Sequence, residues 1–261
     1  MKLGIISDIH CDLPALERTL SVMPAVDHIL CAGDMMLQYR FSNELFDLIR
    51  ERKMVPVLGN HDAHILASGG MMLRRSGKIR PDHLEYLDSL PTVLEIEIDG
   101  KLIMMMHTSP LDPTGGGRGL TNGVGIPARY AHVELGNTSH RIDRIEKLSR
   151  NVNHDPVSTV EVVNGHGVST AVRHVVAEST GGQHQSPSQN MPETEADILV
   201  VGHTHLPTIA DVNGTLVINP GSLAQPRDVK NPDRRTYAIL DTDTWTAEIH
   251  GFREEIGAVY R

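Results

Sequence analysis

Five short clusters of aspartate, asparagine and histidine stand at the ends of apolar segments in this 261-residue chain. These residue types bind divalent metal ions and transfer protons, and histidine, of which the chain has 15, is the commonest metal ligand in proteins. Four of the clusters follow an apolar, strand-like run directly, and the first begins where its run ends. The clusters are Asp8-x-His10, Gly33-Asp34, Gly59-Asn60-His61-Asp62, His107 and Gly202-His203-Thr204-His205.

The spacing within two of the clusters brings side chains to one side of the chain. In an extended segment, residues i and i+2 point the same way, so Asp8 and His10 can converge on one cation. His203 and His205 can do the same if their turn is extended. Three further candidate ligands each follow a different strand-like run, and they are Asp34, Asn60 and His107.

The candidate ligands comprise four imidazoles, two carboxylates and one amide. A single tetrahedral ion needs about four ligands, so this set suits two divalent ions that share a bridging carboxylate. Mixed imidazole and carboxylate ligation favours Mn, Fe, Zn, Co or Ni, and Mn is our first choice. Two such ions, about 3.5–4 Å apart, lower the pKa of a shared water and neutralise phosphoryl oxygens during in-line displacement.

His61 and Asp62 are the candidate catalytic residues. His61 lies one position beyond Asn60, so in an extended turn its side chain is expected to point over the site rather than at the metal ions. Asp62 is expected to hold the other ring nitrogen of His61 and to raise the imidazole pKa.

Alternating strand and helix patterns position the first three clusters. Apolar runs at 2–7, 28–32 and 54–58 predict strands, while helical spacing covers 13–23 and a second helix follows a Ser42 cap. This βαβαβ order implies a parallel sheet covered by helices. Ligands in such sheets bind at the carboxyl ends of the strands, which is where the clusters fall.

Strand patterns further along the chain predict a second sheet region. A helix at 81–90 precedes residues 94–98, which alternate apolar and acidic side chains. Asp99-Gly100 is a tight hairpin signal before a return strand at 101–106. Further strands are predicted at 198–201, 208–212, 216–219, 236–240 and 245–250, with a hairpin turn at Asn213-Gly214.

Residues 111–195 differ from the rest, and we interpret them as an insertion or cap within a single domain, 1–261. The segment opens with three consecutive glycines and closes with a Ser/Gln/Gly-rich stretch at 179–190. Two helical patterns occur within it, one on Ile142, Ile145 and Leu148 and the other on Val168, Val172, Val175 and Val176.

Composition argues against several classes of function. The net charge of −9 opposes general polyanion binding, and an aromatic content of 3% opposes a base-stacking platform. Two cysteines exclude a disulfide scaffold and indicate a reduced, cytoplasmic setting. No apolar run approaches the ~18 residues of a membrane span, and the N-terminal run is too short for a signal-peptide core.

In this order, the five clusters resemble the calcineurin-like metallophosphoesterase superfamily, whose pattern is Asp-x-His, Gly-Asp, Gly-Asn-His-Asp/Glu, His and Gly-His-x-His. The resemblance covers the chain outside 111–195, and it implies an α/β fold in which a two-sheet β-sandwich is flanked by helices. It implies a catalytic role for His61, steered by Asp62. The implied ligands are Asp8, His10, Asp34 and His205 for one metal, and Asp34 as the bridge with Asn60, His107 and His203 for the second.

Within the superfamily, the chain resembles the small bacterial and archaeal phosphodiesterases. Asn219-Pro220-Gly221-Ser222, followed by Pro226-Arg227, is similar to the short loop that those proteins carry after Gly-His-x-His. The chain departs from the Ser/Thr protein phosphatases. Those proteins carry Gly-Asp-x-x-Asp-Arg-Gly, whereas here Gly33-Asp34 is followed by Met35-Met36-Leu37.

Arg227 is the candidate substrate-binding residue, because a guanidinium group can bind phosphate through two donors. The alternative is a surface arginine that pairs with Asp228 or Asp233.

These observations predict a metal-dependent phosphodiesterase that hydrolyses a small phosphodiester by attack of a metal-bridging hydroxide. Alternatives with the same chemistry are a phosphomonoesterase, a dinucleoside-polyphosphate hydrolase and a nuclease, although a nuclease requires a basic groove. A non-catalytic scaffold is a further alternative, but the scaffold of this superfamily, a retromer subunit, lacks the histidine found here as His61.

The expected partner is a small phosphoester rather than a membrane or a nucleic acid larger than a small nucleotide, and homo-oligomer formation is left open.

Overall fold

Two β-sheets stack face to face in the computed structural model, which describes residues 1–109, 130–134, 157–163, 169–175 and 196–253. The described strands are β1 (Lys2–Ile6), β2 (His28–Cys31), β3 (Val55–Pro56), β4 (Val93–Ile98), β5 (Lys101–Met106), β6 (Tyr130–Glu134), β7 (Val157–Val163), β8 (Ser169–Val175), β9 (Ile198–Val200), β10 (Thr208–Val212), β11 (Thr215–Asn219), β12 (Arg234–Asp241) and β13 (Thr246–Arg253). The described α-helices are α1 (Leu13–Val22), α2 (Asn43–Glu51), α3 (Asn60–Leu66), α4 (Met71–Arg75) and α5 (Pro81–Ser89), with a 3₁₀ turn at Ser68–Gly70.

The first sheet has the strand order β13-β12-β1-β2-β3, and the second has the order β10-β11-β9-β5-β4-β6. Strands β1, β2 and β3 are parallel, as are β5, β9 and β11. The antiparallel neighbours include β4 with β5 and β12 with β13, while β7 and β8 form a separate two-stranded sheet. Both main sheets are thus mixed, and their parallel strands end on a common edge of each sheet.

Alternating burial along the strands builds the core between the two sheets. In β4, the side chains of Leu94, Ile96 and Ile98 are buried, while Glu97 on the opposite face is exposed. These three residues pack in a cluster that also contains Leu3 and Ile5 from the first sheet. The predicted two-sheet α/β sandwich is therefore confirmed.

Helices cover the other face of the first sheet, and local signals in the sequence define their ends. The Asp12 side chain accepts a hydrogen bond from the Ala15 backbone N–H at the start of α1, and the predicted cap Ser42 does the same for Leu45 in α2. Proline occupies the first position of α5, where its missing N–H costs nothing. The apolar faces of these helices pack with Leu16, Phe46 and Leu87 in a second core cluster.

Both predicted hairpin turns are present. Asp99 and Gly100 have φ values of 49° and 77°, and Asn213 and Gly214 have φ values of 56° and 87°. Positive φ at both central residues gives a turn whose twist matches that of the flanking strands.

The predicted helix on Val168–Val176 is wrong, because Ser169–Val175 form β8, paired antiparallel with β7. Thr170, Val172 and Val175 are β-branched, which restricts their χ1 rotamers in a helix and favours a strand. The other helical pattern, on Ile142, Ile145 and Leu148, lies outside the described residues.

Part of the predicted insertion joins the main fold. Residues 130–134 form β6, which pairs in parallel with β4 at the edge of the second sheet. The boundaries 111–195 and the single-domain organisation stay predictions. Among the described helices, none is long and apolar enough to cross a membrane.

Candidate metal centre

The five clusters meet where strands from both sheets end. Asp8 lies just beyond β1, Asp34 just beyond β2, and Asn60 begins α3 after β3. From the second sheet, His107 follows β5 directly and His203 lies shortly after β9. The seven predicted metal ligands therefore come together across the sandwich, which is the position that parallel strand ends favour.

Asp8 and two histidines form the first group of potential ligands. The Asp8 side chain is completely buried, and its Oδ1 lies 3.1 Å from His205 Nε2 and 3.7 Å from His10 Nε2. The two imidazole Nε2 atoms are 3.2 Å apart. Among the described residues, the buried Asp8 Oδ1 atom takes part in no hydrogen bond, so this carboxylate oxygen is available to bind a cation.

Hydrogen bonds to backbone carbonyls fix the orientation of His205 and His107. His205 Nδ1 donates to Gln225 O and His107 Nδ1 donates to Ala32 O, each at 2.7 Å. In both neutral imidazoles the proton is therefore on Nδ1, and the Nε2 lone pair faces the cluster. A backbone acceptor on the distal nitrogen is the usual arrangement for a metal-binding histidine.

Asp34 belongs to two groups of potential ligands. Its Oδ2 lies 3.2 Å from His107 Nε2 and 3.9 Å from His61 Nε2, while its Oδ1 accepts a hydrogen bond from the His61 backbone N–H at 2.8 Å. The two groups are Asp34 with His107 and His203, and Asp34 with His10 and His61. Asp34 is thus the carboxylate best placed to be shared between two ions.

Asp34 and His107 form a buried pair in which each group shifts the pKa of the other in the direction opposite to burial. Burial raises the pKa of the Asp34 carboxyl group, but the imidazoles of His107, His61 and His10 together outweigh burial and lower that pKa to about 2. Burial likewise lowers the pKa of His107, but Asp34, Asp8 and the Ala32 carbonyl together raise it to about 10. The His107 Nε2 atom therefore binds a proton strongly when no cation is bound, and a divalent ion would replace that proton.

Asn60 completes the cluster and contacts the two histidines that follow β5 and β9 of the second sheet. Its Oδ1 lies 2.9 Å from His203 Nδ1 and 3.2 Å from His107 Nε2. Burial lowers the pKa of His10, which keeps that imidazole neutral, as a metal ligand must be. The donor set of neutral imidazoles, carboxylates and one amide fits divalent transition-metal ions.

The backbone at these positions is not extended, and the predicted extended turns are wrong. Five of the seven predicted ligands have positive φ, between 47° and 69°. They are Asp8, His10, Asp34, His203 and His205. Non-glycine residues adopt this region rarely, and such residues concentrate at functional sites where the surrounding structure holds them.

Glycines in the motifs permit this close packing. A Cβ atom at Gly59 would overlap the carboxylate and backbone nitrogen of Asp34, and one at Gly202 would overlap the Ser7 hydroxyl. The neighbouring loops therefore approach so closely that only hydrogen fits at these positions. This explains physically why Gly-Asn-His and Gly-His-x-His each begin with glycine.

His61 lies in the first turn of α3 rather than in an extended turn. Its side chain is 27% exposed, and its Nδ1 accepts a hydrogen bond from the Gln38 backbone N–H at 3.2 Å. In the neutral imidazole the proton is therefore on Nε2, which faces Asp34 and the cluster. The prediction that His61 lies over the site is consistent with this geometry.

The predicted pairing of Asp62 with the His61 ring is wrong. The buried Asp62 carboxylate accepts hydrogen bonds from the backbone N–H groups of Met36, Gly59 and Met35, at 2.9, 3.0 and 3.2 Å. Burial, followed by the charge of Asp34, raises the Asp62 pKa to about 7. Asp62 therefore ties the loop after Asp34 to the loop that carries Asn60.

Arg227 lies at the edge of the site with an exposed side chain. Its backbone N–H donates to His205 O at 3.3 Å. Asp228, the alternative partner considered for it, accepts hydrogen bonds from the Lys230 backbone N–H and from Asn231 Nδ2. The substrate-binding role of Arg227 stays a prediction.

The loop at 219–225, which contains the Asn219-Pro220-Gly221-Ser222 motif, contacts the histidine and aspartate clusters and holds them in place. Asn219 Nδ2 donates to Gly202 O and Thr204 Oγ1, both at 2.9 Å. The buried Ser222 hydroxyl donates to Asp8 O at 2.9 Å and accepts from the Gln225 backbone N–H at 2.9 Å. The sequence motif indicated a loop similar to that of the small phosphodiesterases, but it did not reveal these hydrogen bonds, because several of the partners are distant in the chain.

Comparison with known proteins agrees with this site. The model of the calcineurin-like phosphoesterase family matches residues 1–207. The chain therefore belongs to that family, as the motifs indicated, and is a hydrolase of phosphoric esters that depends on divalent metal.

Relatives with the same fold come from bacteria and archaea. A metallophosphoesterase from Sphaerobacter thermophilus is 24% identical, with a TM-score of 0.57 over 98% of this chain and 90% of that one. The hypothetical protein PH1004 from Pyrococcus horikoshii is 13% identical, with a TM-score of 0.53 over 98% and 89%. The uncharacterized protein MJ0912 of Methanocaldococcus jannaschii is 24% identical over 285 residues, which cover 99% of this chain and 90% of that protein.

The loop at 219–225 generates a first prediction. Ser222→Ala removes one donor to Asp8 O and one acceptor for Gln225, whose carbonyl orients His205. We expect Mn²⁺ affinity to fall about 10-fold or more, and the free energy of unfolding to fall by about 1–3 kcal/mol. Calorimetric Mn²⁺ titration and urea denaturation measure the two effects.

The matched control is Ser21→Ala, which deletes an exposed hydroxyl whose hydrogen bond in the described part of the chain is to Arg18 O. It should change neither quantity by more than about 0.5 kcal/mol. Unaltered Mn²⁺ affinity in Ser222→Ala, with lowered stability alone, would show that the loop supports the fold and not the site.

Proposed function

We propose that the protein hydrolyses a small phosphodiester at a centre of two divalent metal ions that share Asp34. The observation that carries this proposal is that five ligand-type side chains from both sheets surround the buried carboxylates of Asp8 and Asp34. The proposed ligands are Asp8, His10, Asp34 and His205 for one ion and Asp34, Asn60, His107 and His203 for the other.

The residues fit such ions for a reason independent of the family. The buried Asp8 Oδ1 atom has no hydrogen bond to any residue that the structure describes, and the Nε2 atoms of His205 and His107 face acceptor oxygens. When bound, two divalent ions activate a water molecule and neutralise charge on the phosphoryl oxygens. Mn²⁺ is our first choice, with Fe, Zn, Co and Ni suited by the same ligands.

His61 is placed to assist the leaving group. Gln38 holds its Nδ1, so the Nε2–H is directed to the side of the site occupied by Asp34. A proton donated from Nε2 to the departing oxygen would prevent accumulation of negative charge on that oxygen. Partial exposure of His61 leaves room for a substrate beside it.

The preference for a diester rests on the resemblance of the motifs to the small bacterial and archaeal phosphodiesterases, including Asn219-Pro220-Gly221-Ser222 and the following Pro226-Arg227. Within the described part of the chain, the hydrogen bonds and ion pairs of the Asp8 and Asp34 side chains involve imidazoles and backbone N–H groups. Arg227, exposed at the edge of the site, is the side chain proposed to bind the phosphate of the substrate through its guanidinium group.

Three expectations about location and partners stay predictions. The protein is expected in the cytoplasm, membranes and nucleic acids larger than a small nucleotide are not expected as partners, and homo-oligomer formation is left open. The net charge of −9 continues to oppose a nuclease, which would need a basic surface.

The function is tested by comparing an aryl diester with the matching aryl monoester. We expect Mn-loaded protein to hydrolyse bis(p-nitrophenyl) phosphate with a kcat/KM at least about 10-fold above that for p-nitrophenyl phosphate, equivalent to about 1.4 kcal/mol in the barrier. Release of p-nitrophenolate is the measurement, and metal-free protein is the control.

Each other outcome selects a different function. A preference for the monoester would contradict the diesterase and indicate a phosphomonoesterase. Turnover of a dinucleoside polyphosphate alone would indicate a hydrolase of that class. Two bound ions without turnover of any of these substrates would favour a binding scaffold.

The shared carboxylate gives a further prediction. Asp34→Asn preserves an acceptor for the His61 backbone N–H but removes the negative charge opposite His107. We expect bound metal to fall from two ions towards none, and activity to fall with it, as elemental analysis and the diester assay would measure. Asp47→Asn, at an exposed carboxylate on α2, should retain both ions, and two ions with full activity in Asp34→Asn would rule out the shared role.

The proposed role of His61 in catalysis can be tested separately from metal binding. His61→Ala should retain both ions and lose about 10²–10⁴-fold in kcat, the typical contribution of general acid–base catalysis. His250→Ala, on β13 at the edge of the first sheet, is the control and should behave as the unaltered protein. Loss of metal in His61→Ala would instead identify His61 as a ligand.

A further inference from the structure

A tight turn next to His61 presents an aromatic side chain to solvent. Leu37 and Arg40 exchange two backbone hydrogen bonds, of 3.2 and 3.0 Å, so Gln38 and Tyr39 form the tip of the turn. The backbone N–H of Gln38 donates to His61 Nδ1. Tyr39 is therefore one residue from a direct contact with the candidate catalytic histidine.

The turn is anchored on both sides. Before it, the backbone N–H groups of Met35 and Met36 donate to the buried Asp62 carboxylate. After it, the Arg40 carbonyl accepts from Cys11 Sγ at 3.3 Å. Because these contacts hold the backbone, little conformational entropy is lost when a ligand binds at the tip.

The Tyr39 ring lies on the same side of α3 as His61. The rings of Tyr39 and His64 meet in a T-shaped arrangement, with a centroid distance of 5.3 Å and an interplanar angle of 83°. His64 follows His61 by three residues, about one helical turn, so the two histidines share a helix face. Tyr39 is nevertheless 68% exposed and is the single aromatic among the large apolar side chains exposed in the described ranges.

We infer that Tyr39 stacks on a planar aromatic group of the substrate, either a nucleobase or a simple aryl group, joined to the phosphoryl group at the metal centre. This inference rests on the proposed function and narrows its substrate class. An exposed, anchored ring beside the site offers a stacking surface at low entropic cost. One such ring suits a small nucleotide or aryl ester, and it is consistent with the low aromatic content that opposes binding of long nucleic acids.

The test compares two non-hydrolysable phosphonates that differ in the presence of a ring. Phenylphosphonate and methylphosphonate are titrated calorimetrically into the Mn-loaded full chain. We expect Tyr39→Leu, which keeps apolar volume but loses the ring, to bind phenylphosphonate about 10-fold more weakly, the lower range for a stacked aromatic pair. Its affinity for methylphosphonate should stay unchanged.

Two control variants accompany it. Tyr39→Phe retains the ring and should bind both probes as the unaltered protein does. Val22→Ala alters another exposed apolar side chain, at the far end of α1, and should also have no effect. The phosphonate analogue of adenosine 5′-monophosphate distinguishes a nucleobase from a simple aryl group in the substrate. A site for a nucleobase binds this analogue more tightly than phenylphosphonate, and a site for an aryl group does not.

The remaining outcomes overturn the inference in distinguishable ways. Equal weakening of both phosphonates in Tyr39→Leu would show that Tyr39 affects the phosphoryl site and not an aromatic group. No change with either probe, or a loss in Tyr39→Phe as large as in Tyr39→Leu, would also contradict stacking. If neither phosphonate binds the unaltered Mn-loaded protein although that protein hydrolyses bis(p-nitrophenyl) phosphate, the inference about Tyr39 fails and the proposed function stands. Absence of diester hydrolysis would overturn the proposed function itself.

Discussion

The burial of two carboxylates side by side is the constraint on which the rest of this site depends. Asp8 is 0% exposed and Asp34 is 1% exposed, and charged groups removed from water are stable only when they are paired or bind metal. The chain meets this requirement with imidazoles from both sheets and with backbone N–H groups. The left-handed backbone at the ligands and the glycines that face them follow from the need to bring these groups into one small volume.

The sequence permits prediction of which residues converge, but not of how the chain turns to bring them together. Asp8, Asp34 and Asn60 were located because the carboxyl ends of parallel strands necessarily share one edge of a sheet. The left-handed φ values could not be foreseen, because they are imposed by contacts between loops that are far apart in sequence. The same reason explains why the pairing of Asp62 with the His61 ring was predicted wrongly. The Asp62 carboxylate accepts three backbone hydrogen bonds from two loops that are distant in sequence, and it therefore does not contact the adjacent imidazole.

Local pattern was least reliable inside the segment 111–195. The valines around Val172 recur at helical spacing, but β-branched side chains also suit a strand, and pairing with β7 decides between the two. Strand β6 was missed because an edge strand of five residues carries little periodic signal. By contrast, the hairpins at Asp99-Gly100 and Asn213-Gly214 were predictable, since the required backbone conformation is encoded in two adjacent residues.

The division of the ligand-type residues between the two sheets has a consequence for the sandwich as a whole. His107, His203 and His205 follow strands of one sheet, while Asp8, Asp34 and Asn60 follow strands of the other. A slip of one layer against the other by a fraction of an ångström would separate these groups, long before the apolar interior lost much contact area. The core between the two sheets, which includes Ile5 and Ile96, therefore sets the distance between the two sets of ligand-type residues. Substitutions in this core are then limited by the geometry of the candidate site as well as by the stability of the fold.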